Sequence, residues 1–414
     1  MYGPHTAPKL LGIALLTVAA LYVVSLVVMA SIYPEDSRAS DNKRLVAGNT
    51  RFAVDLYKQL DDSEGNIFIS PYSITAALAM TYAGAREGTA REMAEVLHFM
   101  PGQETLHPAM AGLGAHLSRI GKNGEVQLSI ANSLWPQRGY PFREEFLAFV
   151  KKHYGSPITP VDFAGETEKT RLLINAWVEE QTQDKIQELI RKGQLDPSNL
   201  LALVNAVYFK GDWASRFDPG RTGDAEFTLP DGETKLVPMM SQQGTFGYRE
   251  FDHLQVLELP YEGERLSMII LLPQDRHGLG ELEEELETRS LDAWLTSIPE
   301  EAVHVCLPRF TITWGTTDLA PHLSRMGMRD AFIPGSADFS GMDGTRRLFI
   351  GLVLHKTFID VNEKGTEAAA ATAVLMKKGP QPHIFRADHP FIFLIRENET
   401  GSILFLGRLA DPAS

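Results

Sequence analysis

Glu363-Lys364-Gly365-Thr366-Glu367-Ala368-Ala369-Ala370-Ala371-Thr372-Ala373-Val374-Leu375-Met376-Lys377-Lys378-Gly379-Pro380-Gln381-Pro382-His383 does not suit an ordinary domain. It lies between two strand-like runs, residues 348–361 and 391–395. That makes a connection of roughly twenty-five residues where about 4–6 is usual, a length that implies function or disorder. Its first part is nearly all small side chains. Its second carries a lysine pair followed by Gly and Pro, residues that keep a chain exposed. Alanine is the best helix former, so a surface helix over residues 368–375 is one reading. Small side chains also allow a chain to slide between two existing strands without steric cost, each inserted N–H and C=O gaining a ladder partner.

Outward from that stretch the pattern divides. Leu45, Phe52, Leu56 and Leu60 recur at near-heptad spacing, as on an amphipathic helix. Ser70-Pro71-Tyr72-Ser73 opens a second helix, with Ser70 or Ser73 as cap and Pro71 in the first turn, and Gly84 closes it. Residues 174–190 read as another long helix that stops near Gly193. From about Leu201 the chain turns strand-like. The run from Leu201 to Phe209 has the length and apolarity of a buried central strand. Further strands read over residues 255–260, 266–272, 303–310, 348–361, 391–395 and 403–409. Helices first and strands later indicate an α+β domain rather than βαβ alternation. No repeat or linker divides residues 45–411, so a single domain over 38–414 is expected after an N-terminal segment, 1–37.

Composition narrows the function. The 414 residues carry 39 Lys+Arg against 53 Asp+Glu, a net charge of −14, and the basic runs are no longer than pairs. Nucleic acid is therefore not expected as a partner. A lone cysteine, Cys306, excludes an internal disulfide or a cysteine zinc cluster, and it reads as a buried thiol in a strand. Gly-x-Ser-x-Gly, His-Glu-x-x-His, the phosphate loop, the dinucleotide fingerprint and the calcium loop are all absent. His98, His107 and His116 recur nine apart without any metal geometry and read as surface histidines. No enzymatic activity, cofactor or metal site is expected.

Residues 10–32 contain no charge. Those 23 residues span about 34 Å as a helix, enough to cross a bilayer core. The stretch exceeds a cleavable signal's apolar core and favours an uncleaved signal-anchor, although Val28-Met29-Ala30 before Ser31 leaves a cleaved form open. Lys9 before the span, against Arg38, Lys43 and Arg44 after it, leans toward keeping the body inside. Residues 34–41 read as a short polar linker.

Several motifs, collinear from about residue 45 to 411, give the long connection its context. Asn66-Ile67-Phe68-Ile69-Ser70-Pro71-Tyr72-Ser73-Ile74 and Tyr82-Ala83-Gly84-Ala85-Arg86-Glu87-Gly88-Thr89 resemble a helix start and its sequel in the serpin family. Asn205-Ala206-Val207-Tyr208-Phe209-Lys210-Gly211-Asp212-Trp213 is similar to a central-sheet strand and its following turn. Asp388-His389-Pro390-Phe391-Ile392-Phe393 and Gly401-Ser402-Ile403-Leu404-Phe405-Leu406-Gly407-Arg408 resemble the C-terminal strands. The stretch at 363–383 resembles the hinge and reactive loop.

This resemblance implies an α+β serpin fold of about nine helices and three β-sheets with an exposed reactive-centre loop. It implies a monomeric suicide-substrate inhibitor whose partner is a target serine protease held as a covalent acyl complex. Loop insertion of this kind is a known example of strand addition and of released strain. The hinge would be Glu363, Gly365, Thr366, Glu367, Ala368, Ala369, Ala370, Ala371 and Thr372. Within it Thr366, Ala368, Ala370 and Thr372 share one face, and all are small. Ser70, Ser73, Asn205 and His355 would form the polar cluster where the sheet opens, while Glu363 would pair with Arg309 near Trp213. The family's usual loop length places the reactive bond at Gly379-Pro380. Proline after a scissile bond is poorly accepted, so Lys378-Gly379 is preferred, followed by Gly379 and then Lys377. A lysine there suggests a trypsin-like target and, with it, an extracytoplasmic location, tethered or secreted. A non-inhibitory serpin acting as a binding or chaperone protein is the alternative, which the small-residue hinge disfavours.

Overall fold

The computed structural model describes residues 35–60, 65–99, 102–122, 126–365 and 381–413. Ten α-helices occur among the described residues: α1 Glu35–Leu60, α2 Pro71–Tyr82, α3 Glu87–Val96, α4 Gly102–Lys122, α5 Glu144–Tyr154, α6 Phe163–Gln181, α7 Leu279–Glu285, α8 Thr288–Leu295, α9 Ala320–Met326 and α10 Ser340–Asp343. The strands are β1 Ile67–Ile69, β2 Val126–Pro136, β3 Leu201–Gly211, β4 Gly223–Thr228, β5 Thr234–Glu250, β6 Leu254–Pro260, β7 Leu266–Pro273, β8 Glu300–Pro308, β9 Phe310–Asp318, β10 Leu354–Val361, β11 His383–Arg386, β12 Phe391–Glu397 and β13 Ile403–Leu409.

They form two hydrogen-bonded networks. One is four-stranded, in the order β2-β3-β10-β9, with β3 and β10 parallel. The other is nine-stranded, in the order β1-β13-β12-β7-β6-β5-β8-β11, with β4 on β5. Two networks appear where three sheets are expected because β5 pairs with β6 at one end and with β8 along the rest. That strand welds two sheets into one.

The apolar runs explain the core. Every residue of β7 and of β13 is buried, as is all of β12 except Arg396, so both faces of this layer are covered. Phe68 stacks on Phe393 and Phe405 at 5.6 and 5.0 Å between ring centres, which fixes β1 on its neighbours. A second, smaller core lies where α6 covers the four-stranded sheet. There Trp135, Phe163, Ile174 and Val178 meet Val204 and Ala206 of β3.

Several boundaries differ from the sequence reading. The segment read as a polar linker, residues 34–41, is helical from Glu35. The helix expected over 174–190 ends at Gln181. Gln183, Asp184 and Glu188 take positive φ, and the chain turns back so that Ile186, Leu189 and Ile190 enter the small core. Asn175 ties that return down by donating to Ile190 O and accepting Ile190 N–H, both at 2.9 Å. The run 303–310 breaks at Arg309, because β8 belongs to one network and β9 to the other. Strand β10 starts only at Leu354, since the Asp318 carboxylate accepts Val353 N–H at 3.1 Å in place of a ladder partner. Among the described residues no helix is long and apolar enough to cross a membrane, and residues 10–32 lie outside them.

Candidate functional site

Side chains alternate along β3, so with Val204 and Ala206 turned to the small core, Asn205 faces α2. The register places Asn132 of β2 opposite Asn205 on one side and His355 of β10 opposite it on the other. Three polar residues thus form one row across three neighbouring strands. The row docks on the first turn of α2, where Ser70 caps the helix by accepting Ser73 N–H and Pro71 needs no partner for its nitrogen.

Each polar atom in this row finds a partner. Ser70 N–H donates to His355 Nε2 at 3.0 Å, and the Ser70 hydroxyl donates to Leu404 O at 2.7 Å. The Asn205 amide donates to Ser73 Oγ and to Asn132 Oδ1, and Ser73 Oγ lies 3.3 Å from Asn132 Oδ1. A backbone N–H can only donate, so His355 Nε2 must be the acceptor. The ring proton therefore sits on Nδ1 and is donated to Asn205 Oδ1. His355 is fully buried and neutral, its tautomer dictated by Ser70. The structure brings together Ser70, Ser73, Asn205 and His355, as the resemblance implied. It adds Asn132, which the sequence reading missed because β2 itself went unread.

Above this row the sheet has an open seam. Strands β3 and β10 pair from Val204–Leu354 to Tyr208–Phe358, yet both continue upward, to Gly211 and Val361. Among the described residues no pair joins 209–211 to 359–361, whereas β2 pairs along all of β3 and β9 pairs with β10 as far as Val361. The seam is capped where the long connection begins. Gly365 bridges Asp212 and Asn362, and Trp213 N–H donates to Lys364 O at 2.9 Å. Gly365 has φ of 137°, and a Cβ there would sit 2.2 Å from Gly211 O, so only glycine fits.

Beside the cap Glu363 is nearly buried. Its carboxylate accepts from Thr222 Oγ1 at 2.7 Å and lies 3.6 Å from Arg309 Nε. Arg309 is half exposed, so the expected ion pair is present but solvent-screened, and Thr222, which carries no signal in the sequence, makes the tighter contact. Trp213 is buried, stacks on Tyr261 at 4.7 Å and donates from Nε1 to Asn362 O at 3.0 Å. Thr366, Glu367, Ala368, Ala369, Ala370, Ala371 and Thr372, together with Lys377, Lys378, Gly379 and Pro380, lie outside the described residues.

A family model described as "Serpin (serine protease inhibitor)" matches residues 47–412. The chain is a serpin. It is 45% identical over 385 residues to the leukocyte elastase inhibitor of Equus caballus, covering 89% of this chain and all of the relative. It is 43% identical over 388 residues to that of Homo sapiens, with the same coverage. The solved structure of uncleaved ovalbumin superposes with a TM-score of 0.80 at 32% identity, over 89% of this chain and 100% of that one. These findings correct the merely negative expectation of no enzymatic activity into a positive statement: the family is one of enzyme inhibitors. They also bear out the α+β serpin fold.

His107, read from the sequence as a surface histidine, is not one in this serpin. His107 is fully buried with Nδ1 2.5 Å from Tyr154 Oη, and burial, with His153 nearby, pushes its pKa down to about 4. Burial likewise holds His355 at about 3. An unfolded histidine takes a proton below about pH 6.5, whereas folded His355 refuses it until about pH 3. Its stabilising contribution is therefore complete above pH 6.5 and is lost as the pH falls from there toward 3, by about 1.4 kcal/mol per pH unit. In urea unfolding followed from pH 7.5 to 5, the wild type should lose about 2 kcal/mol more than His355→Gln, whose side chain does not titrate. Parallel pH profiles for the two proteins would show that the buried imidazole does not set this dependence.

Proposed function

We propose that this serpin is a suicide-substrate inhibitor of serine endopeptidases, trapping the acyl-enzyme when its cleaved loop enters the seam between β3 and β10. The observation that carries this reading is the seam itself. Two parallel strands stay paired over five positions and then part, directly below the point where the alanine-rich stretch leaves the sheet. From Gly365 to Lys378 is 14 residues, which as an inserted strand would reach about 46 Å, on the order of the length of a domain this size. About ten new ladder bonds at a net ~1 kcal/mol each would contribute on the order of 10 kcal/mol, comparable with a domain's whole stability. That gain favours an irreversible step. The reading treats residues 38–414 as one domain acting as a monomer. It also places the body outside the cytoplasm, tethered through residues 10–32 or secreted, against the weak lean of the flanking charges, because its target proteases act there.

Thr366→Arg tests the insertion step. Thr366 belongs to the small-residue face, and a charge there would have to be buried without a partner. The variant should be cleaved as a substrate and form little SDS-stable complex with protease. Complex formation at the wild-type stoichiometry would refute insertion at this hinge.

Specificity rests on the loop's own residues. Lys378-Gly379 would be accepted by a trypsin-like enzyme, and we propose it as the reactive bond, ahead of Gly379-Pro380 and Lys377-Lys378. A second reading follows from the relatives, whose printed name is leukocyte elastase inhibitor, together with the apolar triplet Val374-Leu375-Met376 just upstream. Exposure to trypsin and to an elastase, with the mass of the released C-terminal peptide read in each case, separates the two. A covalent complex with trypsin and a peptide beginning at Gly379 is the expected result. A complex with elastase alone, cleaved within 374–376, would transfer the target to the elastase class.

A further inference from the structure

On α4, His116 meets the turn that joins β12 to β13. Its Nε2 lies 3.1 Å from Glu397 Oε1 and 3.9 Å from Glu399 Oε2, and the three ligand atoms all fall within 4.8 Å of one another. Glu397 is completely buried and rigidly held: Thr400 N–H and Oγ1 donate to its Oε2, and Glu399 N–H donates to Oε1 at 3.1 Å. Glu399 is exposed, with Arg265 Nη2 3.5 Å away and also solvated, so its carboxylate is free to swing inward.

The environment is short of hydrogen bonds. His116 Nε2 is a buried atom that makes none among the described residues, despite its closeness to Glu397. Asn398 Oδ1 and Ser402 Oγ, in the same turn, are likewise buried and unpartnered, and Ser402 is wholly inaccessible. An orphaned imidazole nitrogen beside a buried carboxylate is costly unless something satisfies it. Two ligand atoms on one zinc-class ion, each about 2.0–2.2 Å from it, sit roughly 3–3.5 Å apart, which suits the His116–Glu397 pair. An imidazole with carboxylate oxygens suits zinc, while the donors are too few and too nitrogenous for calcium.

We propose that His116, Glu397 and Glu399 bind one zinc-class divalent ion, with water in the remaining position. The ion joins α4 to the β12–β13 turn, segments far apart in sequence, so its binding stabilises the intact fold by linkage. The nine-residue histidine spacing gave no hint of this, because the other two ligands come from the opposite end of the chain.

Zinc and cobalt titrated into the metal-stripped full-length protein test the assignment. The wild type should take up one zinc per chain with a saturable rise in melting temperature, and cobalt should give visible d–d bands. His116→Ala and Glu399→Gln should each weaken zinc binding at least tenfold and remove those bands. Glu399→Gln should melt near the wild-type temperature without metal, because Glu399 is exposed. Unchanged affinity in either variant, or no saturable binding by the wild type, overturns the three-ligand site.

Discussion

Because Ser70 N–H can only donate and His355 Nε2 is what it reaches, the buried imidazole has one permissible proton position, and its neighbours are arranged around that fact. Nδ1–H fixes the oxygen of Asn205, which turns the Asn205 amide group toward Ser73 and Asn132. A single choice of tautomer thus orients residues on β10, β3, β2 and α2. The hydroxyl of Ser70 extends the chain to Leu404 on β13. Buried networks of this kind are stable only when every member is satisfied, and removing one partner leaves the others exposed to the full cost of desolvation. The central sheet is therefore held to the helix beneath it by a lock that fails as a unit.

At the other end of the seam the constraint is steric rather than polar. Gly365 lies so close to the backbone of Gly211 and Asp212 that no side chain could replace its hydrogen. Trp213 fills the space below and holds Asn362 O, while Thr222 and Arg309 hold Glu363 from the side. The cap and the polar row meet different demands. The cap fixes where the long connection leaves the sheet, and the row fixes how far down the two strands stay joined.

Much of this was legible in the sequence, for identifiable reasons. Ser70-Pro71 is a strong helix start, and the apolar run of β3 announces a strand covered on both faces. What escaped reading is governed by contacts between distant segments. Strand β2 alternates only partly in burial, so Asn132 carried no signal until the register set it opposite Asn205. Strand β5 contains Pro238, Gly244 and Gly247, each a mark against a strand, and is sustained by partners on both sides. The helix over 163–181 was placed too late because the apolar residues after it, Ile186, Leu189 and Ile190, belong to a returning loop that fills the same small core. Thr222 and Glu399 reach their partners through tertiary folding alone.

Under the proposed insertion, the geometry also bears on why such a sheet would wait rather than open at once. A strand entering between β3 and β10 must separate five paired positions and, at the fourth rung below the parting, counted from Tyr208–Phe358, the Asn205–His355 pair with its shared proton. Those losses come first, when the entering chain has made few bonds of its own. The return comes later, because one ladder is replaced by two, one on each side of the new strand. Costs that precede gains make a kinetic barrier, and here the barrier is built from hydrogen bonds whose positions can be named. The unpaired stretch above Phe358 shortens the part that must be unzipped, while the row at Asn205 keeps that part from parting spontaneously. On the proposed insertion, the free energy gained and its restraint would reside in the same pair of strands.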